Sequence, residues 1–109
     1  MKLFPCVASM FAMSFASEVV VKKYHQLMED IKTQNFKMLD VIHHFCSGMK
    51  SVYTQDVNDS LYLIRQSLGG AGYSAWSGIP RIIEDFSPQV TFEGDNTVMA
   101  QQSANFLLK

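Results

Sequence analysis

Cysteine is scarce in this sequence of 109 residues, which contains only Cys6 and Cys46. Two cysteines do not make the disulfide framework on which small secreted proteins usually depend, so we expect both thiols to be free and buried. An excess of charge of one sign is also missing, because the formal net charge is only −1. The sequence therefore lacks the basic patch typical of proteins that bind nucleic acid or an anionic membrane surface.

The sequence also lacks the alternating polar–apolar pattern of strands, internal repeats and low-complexity tracts. What it contains is apolar residues spaced by three and four, which is the pattern of amphipathic helices. A chain of this length forms one domain at most. We therefore predict an all-α fold, an antiparallel helical bundle, in which residues 1–109 form a single domain.

The first helix is predicted from about Pro5 to Lys32. Val20, Tyr24 and Leu27 follow one another at helical spacing, and proline is well tolerated in a first turn. The uncharged run before them, from Leu3 to Ser17, imitates a secretory signal peptide, so a small secreted helical protein is one alternative. The run is too short between charges for a comfortable membrane span, and we expect no span. We favour one helix whose first part is buried on most sides.

The apolar run is expected to stay on the protein after expression through a secretory pathway, because the helical register continues from Pro5 through Ile31 without interruption. Measurement of the intact mass tests this expectation. A product cleaved near Ala16-Ser17 would instead support the secreted alternative.

A second helix is predicted from near Lys37 to Leu68, where Gly69-Gly70 suits a glycine C-cap. Two long helices joined by a short loop form an antiparallel pair. The remaining predictions are a loop over 74–78, a short helix from Pro80 to Phe86, an irregular connection over 90–94, and a last helix over 98–109. Asn96 or Thr97 can cap that last helix.

Four stretches carry a family resemblance: KLFPCVASMFAMSF, SGMKS, QSLGG and GGAGYSAWSG…P…FEGDNTVM. Together they resemble the C-terminal helical region of the acyl-CoA oxidases, within the acyl-CoA dehydrogenase superfamily, over essentially the whole chain. Ala71 departs from the family, in which a histidine usually stands between GG and GY. The resemblance implies that the flavin-binding β-domain and the N-terminal helical domain of such an enzyme are absent from residues 1–109.

Glu93 is the candidate catalytic residue. It follows Val90, Thr91 and Phe92, and apolar surroundings are one way in which a carboxylate is tuned as a general base. Position alone favours a loop carboxylate that caps the next helix. The resemblance implies instead that Glu93 removes the α-proton of an acyl-CoA, and that Gly94 lets the substrate approach closely.

Cofactor contacts are also implied by the resemblance. Gln66, Gly69 and Gly70 correspond to the segment that, in the superfamily, lies against FAD bound mainly by the neighbouring subunit. A C-cap and a tight turn explain these glycines without any ligand. The residues after the base, Asp95, Asn96 and Thr97, are likewise implied to lie near FAD.

The implied reaction converts acyl-CoA to trans-2-enoyl-CoA, with O2 reduced to H2O2 in peroxisomal fatty-acid β-oxidation by a homodimeric full-length enzyme. One alternative is an acyl-CoA dehydrogenase that uses an electron-transfer flavoprotein, and another is a non-catalytic helical interaction module. The competing polar groups are interpreted as surface or packing residues: Glu84, Asp85, His43, His44 and Cys46. The last three do not share one helix face, so no metal site is predicted.

Overall fold

A computed structural model describes residues 2–109, and every regular element in that range is a helix. The α-helices are α1 (Leu3–Lys32), α2 (Leu39–Ser67), α3 (Gly70–Tyr73), α4 (Ile79–Phe86) and α5 (Asn96–Leu107). Short 3-10 helices at Ala75–Ser77 and Ser87–Val90 lie on either side of α4. The all-α prediction is confirmed.

Helix α2 is the centre of the fold, with α1, α4 and α5 packed around it. Cys6 near the start of α1 shares a cavity with Leu63 near the end of α2. Further along, the Tyr53 hydroxyl donates to the Met13 carbonyl oxygen at 3.3 Å. The two long helices therefore run antiparallel, as the short connection between them predicts.

Burial of α1 is where the prediction is wrong. Only Cys6 and Leu27 of this helix are buried, whereas Phe4, Phe11 and Phe15 are between 62% and 72% exposed. The reason is that, within residues 2–109, α2 is the one long helix that packs along α1, and one helix covers only one side of another. The expectation for the thiols is half right, since Cys6 is buried and Cys46 is exposed.

Helix α1 also has the length and composition of a membrane-crossing helix, with a mean hydropathy of 1.6 over an 18-residue window. The core helix of a soluble protein and a signal sequence share these properties. The absence of a membrane span therefore stays a prediction.

The helix ends follow local chemistry closely. Helix α2 stops one residue before Leu68, and Gly69 then takes a positive φ of 59°, which confirms the glycine stop. Helix α5 is capped by Asp95, whose carboxylate accepts a hydrogen bond from the Thr97 N–H at 2.8 Å. The predicted cap at Asn96 or Thr97 is therefore wrong by one or two residues, because Asp95 is the last residue with non-helical backbone angles.

Gly72 makes the close approach of α3 to α2 possible. It is buried, and a Cβ at this position would overlap the carbonyl oxygen of Arg65 and lie 3.0 Å from the Leu68 Cβ. We expect Gly72→Ala to lower the free energy of unfolding by about 1–3 kcal/mol, because the backbone must move to relieve the overlap. Chemical denaturation measures this change.

Gly70→Ala is the matched control for that experiment. A Cβ at Gly70 would have no atom within 4 Å, so the substitution should leave stability almost unchanged. Equal denaturation midpoints for the two variants would contradict the packing role of Gly72.

Candidate active-site turn

The candidate site lies next to the start of α5, and the packing of α5 on α2 sets its position. A Cβ at Gly48 would lie 2.9 Å from the Ser103 Oγ, so the missing side chain lets α5 lie close to α2. The His44 Nδ1 lies 2.9 Å from the Ser103 Oγ, and its ring stacks on Phe106 with centroids 4.6 Å apart. His44 is thus a packing residue, as predicted, and it holds α5 in place along α2.

The segment just before α5, residues 91–95, is a turn with an uncommon backbone, and we call it the Glu93 turn. Glu93 has a φ of 56° and Gly94 a φ of 103°. Only glycine adopts positive φ freely, and another residue held there costs about 1–3 kcal/mol. A Cβ at Gly94 would also lie 3.0 Å from the Met99 Cγ. The turn therefore holds Glu93 in a conformation that its own backbone disfavours.

Hydrogen bonds from α2 hold this turn. The Lys50 ammonium donates to the Gly94 carbonyl oxygen and, at 2.8 Å, to the Asn96 Oδ1. The Ser51 hydroxyl donates to the Asn96 carbonyl oxygen at 2.9 Å, and the Thr54 hydroxyl to the Asn96 Oδ1 at 3.0 Å. These contacts attach the Glu93 turn and the start of α5 to the middle of α2.

The Glu93 side chain itself is exposed to solvent. The apolar setting expected from its neighbours in sequence is therefore wrong for residues 2–109. The physical reason is that Phe92 is itself 44% exposed, and an exposed neighbour does not shield a carboxylate from water. The surface of the turn that carries Glu93 is thus open to a substrate.

A free backbone donor lies beside this carboxylate. The N–H groups of Thr91 and Phe92 both bond to the Pro88 carbonyl oxygen, at 2.9 and 3.0 Å. Within residues 2–109 the Glu93 N–H makes no such backbone hydrogen bond. An N–H without an internal partner next to a carboxylate is able to donate to a ligand oxygen.

The predicted cofactor residues fall into two separate groups. Asp95, Asn96 and Thr97 lie with Glu93 and Gly94, whereas Gln66, Gly69 and Gly70 lie together at the end of α2. From Thr54, which contacts the first group, to Gln66 the helix rises by about 18 Å. The structure therefore does not bring all of these residues to one point.

The two groups also differ in whether their residues are exposed or already hydrogen-bonded within the chain. Gln66, Gly69 and Gly70 are exposed, and a Cβ at either glycine would meet no atom within 4 Å. In the other group, the Asp95 carboxylate caps α5 and the Asn96 Oδ1 accepts from α2. The Asn96 Nδ2 is buried without a partner among residues 2–109. The glycine group therefore offers the open surface that a ligand needs.

The competing polar residues stay on the surface. Glu84 and Asp85 are exposed on α4, and Asp85 makes only a long 3.8 Å ion pair with Arg81. His43 is exposed too, and the part of the chain that the structure describes has no cluster of three potential metal ligands. The interpretation of Glu84 and Asp85 as a solvated face is confirmed.

Sequence reasoning missed Lys50, Ser51 and Thr54 as parts of the site. Their spacing of one and four residues puts them on one side of α2, so a polar patch on an otherwise amphipathic helix was the available signal. That signal does not say which segment the patch contacts, because its partners lie more than 40 residues later in the sequence.

Comparisons with known proteins identify the family of this chain. The family model "Acyl-CoA oxidase, C-alpha1 domain" matches residues 1–108. The proteins named "Peroxisomal acyl-coenzyme A oxidase 1" from Phascolarctos cinereus and Homo sapiens are 39% and 38% identical to this chain over 108 residues. Each alignment covers 99% of this chain and 16% of the relative.

A solved structure gives the same result at the level of the fold. "Arabidopsis thaliana acyl-CoA oxidase 1" superposes on this chain with a TM-score of 0.93 and 34% sequence identity. The match covers 98% of this chain and 16% of that structure. The chain therefore spans about one sixth of the length of the relatives it matches.

Proposed function

The chain belongs to the acyl-CoA oxidase C-alpha1 domain family, and on that basis we propose that it carries the catalytic base of a FAD-dependent acyl-CoA oxidase. The observation that carries this proposal is the Glu93 turn, in which an exposed glutamate at a φ of 56° is held in place by hydrogen bonds from α2. Residues kept in such unfavourable conformations concentrate at active sites.

In the proposed reaction the Glu93 carboxylate removes the α-proton of an acyl-CoA, and the product is trans-2-enoyl-CoA. The chemistry that FAD would supply when bound is acceptance of the hydride from the β-carbon and transfer of the electrons to O2, which would give H2O2. A thioester α-proton is weakly acidic, so the base must be close to it and correctly aligned. A turn fixed to a long helix supplies that alignment.

Negative charge develops on the thioester carbonyl oxygen as the proton leaves, and it needs hydrogen-bond donors. We propose that the free Glu93 N–H is one of them, as the family resemblance implies. Gly94 supports this role, because the absence of a side chain lets the substrate reach the backbone.

The open group Gln66, Gly69 and Gly70 fits a contact with FAD. Backbone without side chains lets a cofactor approach closely, and the Gln66 amide adds both donors and an acceptor. Asp95, Asn96 and Thr97 are likewise proposed to lie near FAD. In this chain Asp95 and Asn96 act first by shaping the turn, while Thr97 is exposed.

We further propose that residues 1–109 are one helical domain of a longer protein that supplies a flavin-binding β-domain and an N-terminal helical domain. The exposed apolar side chains of α1 support this organisation, because they require a covering partner. The full-length protein is proposed to be a homodimer in peroxisomes, the location that the names of the mammalian relatives state.

A dehydrogenase that passes electrons to a flavoprotein is the second candidate. The segment FEGDNTVM favours the oxidase, because it resembles the oxidase pattern more than the EGT-type segment of dehydrogenases. A non-catalytic interaction module is the third, and the presence of both Glu93-Gly94 and the glycine group in one chain favours the enzyme.

A hybrid enzyme tests the proposal. In it, the segment of the Homo sapiens relative that matches this chain is replaced by residues 1–108, and the unreplaced enzyme is the control. We expect the hybrid to bind FAD and to release H2O2 when it is mixed with acyl-CoA and O2. A folded, FAD-loaded hybrid whose flavin is not reduced by acyl-CoA would contradict the proposal and support the non-catalytic module.

A further inference from the structure

We propose that Lys50 is a positioning residue for Glu93, an inference that rests on the proposed function of that glutamate. The Glu93 turn is a place where such a residue has an effect, because Glu93 has a φ of 56° and Gly94 a φ of 103°. A backbone in this region persists only where the surrounding structure over-determines it.

Lys50 contacts the turn on both sides of Asp95. Its ammonium donates to the Gly94 carbonyl oxygen and to the Asn96 Oδ1. The Lys50 side chain thus fixes Gly94, the residue directly after Glu93, relative to Asn96, the first residue of α5.

No carboxylate within residues 2–109 pairs with the Lys50 ammonium. It is half-buried, and within residues 2–109 it makes no ion pair, so its hydrogen-bond partners are a backbone carbonyl and a neutral amide. Removing an ammonium from water is costly unless its donors are bonded. The charged side chain is therefore held where it is by the turn, and the turn is held by it.

The other α2 contacts do not duplicate this role. The Ser51 hydroxyl bonds to the Asn96 carbonyl oxygen, and the Thr54 hydroxyl bonds to the Asn96 Oδ1 and to the Lys50 carbonyl oxygen on its own helix. Within residues 2–109 neither of them bonds to Gly94, whereas Lys50 does. Loss of Lys50 should release the Glu93 end of the turn, while loss of Thr54 should loosen only the start of α5. This difference supplies a matched control within the same helix.

The first experiment measures how freely the turn opens in the 109-residue chain. A glutamyl endopeptidase cleaves after exposed glutamates. When the turn opens and closes faster than the protease cleaves, the cleavage rate follows the population of the open form. We expect Lys50→Met to raise the cleavage rate after Glu93 about fivefold, relative to cleavage after Glu84 in the same molecule, because about 1 kcal/mol of hydrogen bonding is lost. Lys37→Met, at an exposed loop lysine, should leave the ratio unchanged.

Thr54→Val and Lys50→Arg complete this series. Thr54→Val should change the cleavage ratio after Glu93 less than Lys50→Met does. Lys50→Arg, which keeps the charge and the N–H donors, should restore most of the protection. Equal cleavage after Glu93 in the Lys50→Met variant and in the unmodified chain would overturn the inference, as would an equal effect of Thr54→Val.

The second experiment measures the consequence for catalysis in the hybrid enzyme. A misplacement of about 1 Å in a catalytic group can cost about 10²-fold in rate. We expect Lys50→Met to slow flavin reduction by acyl-CoA about 10- to 100-fold at saturation, with the dissociation constant for acyl-CoA unchanged within about twofold. Lys50→Arg should recover most of the rate.

The two proposals fail in different ways. If acyl-CoA reduces the flavin of the Glu93→Gln variant as fast as that of the parent, the proposed function is wrong. If Glu93→Gln is slow but Lys50→Met is as fast as the parent, only the positioning role of Lys50 is wrong. A Lys50→Met variant that weakens acyl-CoA binding without slowing flavin reduction would also overturn that role.

Discussion

Glu93→Gln in the hybrid enzyme is expected to reduce turnover by about 10²–10⁴-fold, the usual contribution of general-base catalysis. The amide keeps the shape of the side chain but does not accept a proton from the acyl-CoA α-carbon. Because the Glu93 side chain is exposed in this chain, its exchange for an isosteric amide should not disturb the fold. The measurement is the steady-state rate of H2O2 release, together with the content of bound FAD.

Glu84→Gln is the control for this experiment. Glu84 is an exposed glutamate on α4, outside the Glu93 turn. The control should retain the parental turnover. Equal turnover in the two variants would show that a carboxylate at Glu93 is not needed for the reaction.

The second large effect concerns the isolated chain of 109 residues, which should be colourless, prone to associate, and inactive on acyl-CoA with O2. Within residues 2–109 there is no strand that could contribute to a flavin-binding β-domain. Apolar side chains are left exposed along α1 in one continuous helix, and they include Phe4, Val7, Met10, Phe11 and Phe15. Exposed patches of this kind mark interfaces or aggregation sites.

Absorbance in the flavin range and light scattering after size-exclusion chromatography test this expectation. A monodisperse yellow protein with one FAD per chain would contradict it. That outcome would mean that a single helical piece is sufficient to bind the cofactor.

The helices themselves could be predicted well from the sequence, because their signals are local. The spacing of apolar residues predicts α1 and α2, Gly69 marks the end of α2, and Pro80 marks the start of α4. The boundaries of α1, α2, α4 and α5 differ from the predicted ones by at most two residues. The short α3 was not predicted, and the predicted loop over 74–78 contains a 3-10 helix, Ala75–Ser77. At the start of α5 the difference is two residues, since Asp95, Asn96 and Thr97 are all suitable caps by type.

Burial could not be predicted in the same way, because it depends on what covers a face and not on the composition of the face. The first half of α1 is as apolar as a core helix, yet Phe11 and Phe15 are exposed. The same reasoning applies to Glu93. Its neighbours in sequence are partly apolar, but whether they shield it depends on the path of the turn.

The candidate site was only partly accessible to sequence reasoning. The resemblance identifies the residues from Glu93 to Thr97, which the structure places in the Glu93 turn and at the start of α5. It does not identify Lys50 as the residue that attaches this turn to α2, because that contact joins positions 44 residues apart. Nor does sequence order show that the glycine group lies well away from the Glu93 turn along α2.

Single-turnover mixing tests the central claim, that Glu93 is the base, most directly. The hybrid enzyme and its Glu93→Gln variant, both loaded with FAD, are mixed anaerobically with acyl-CoA while flavin absorbance is followed. We predict that the variant binds acyl-CoA with a dissociation constant within about twofold of the parent, but that its flavin is reduced about 10²–10⁴-fold more slowly. Flavin reduction at the parental rate in the variant would show that Glu93 does not remove the proton.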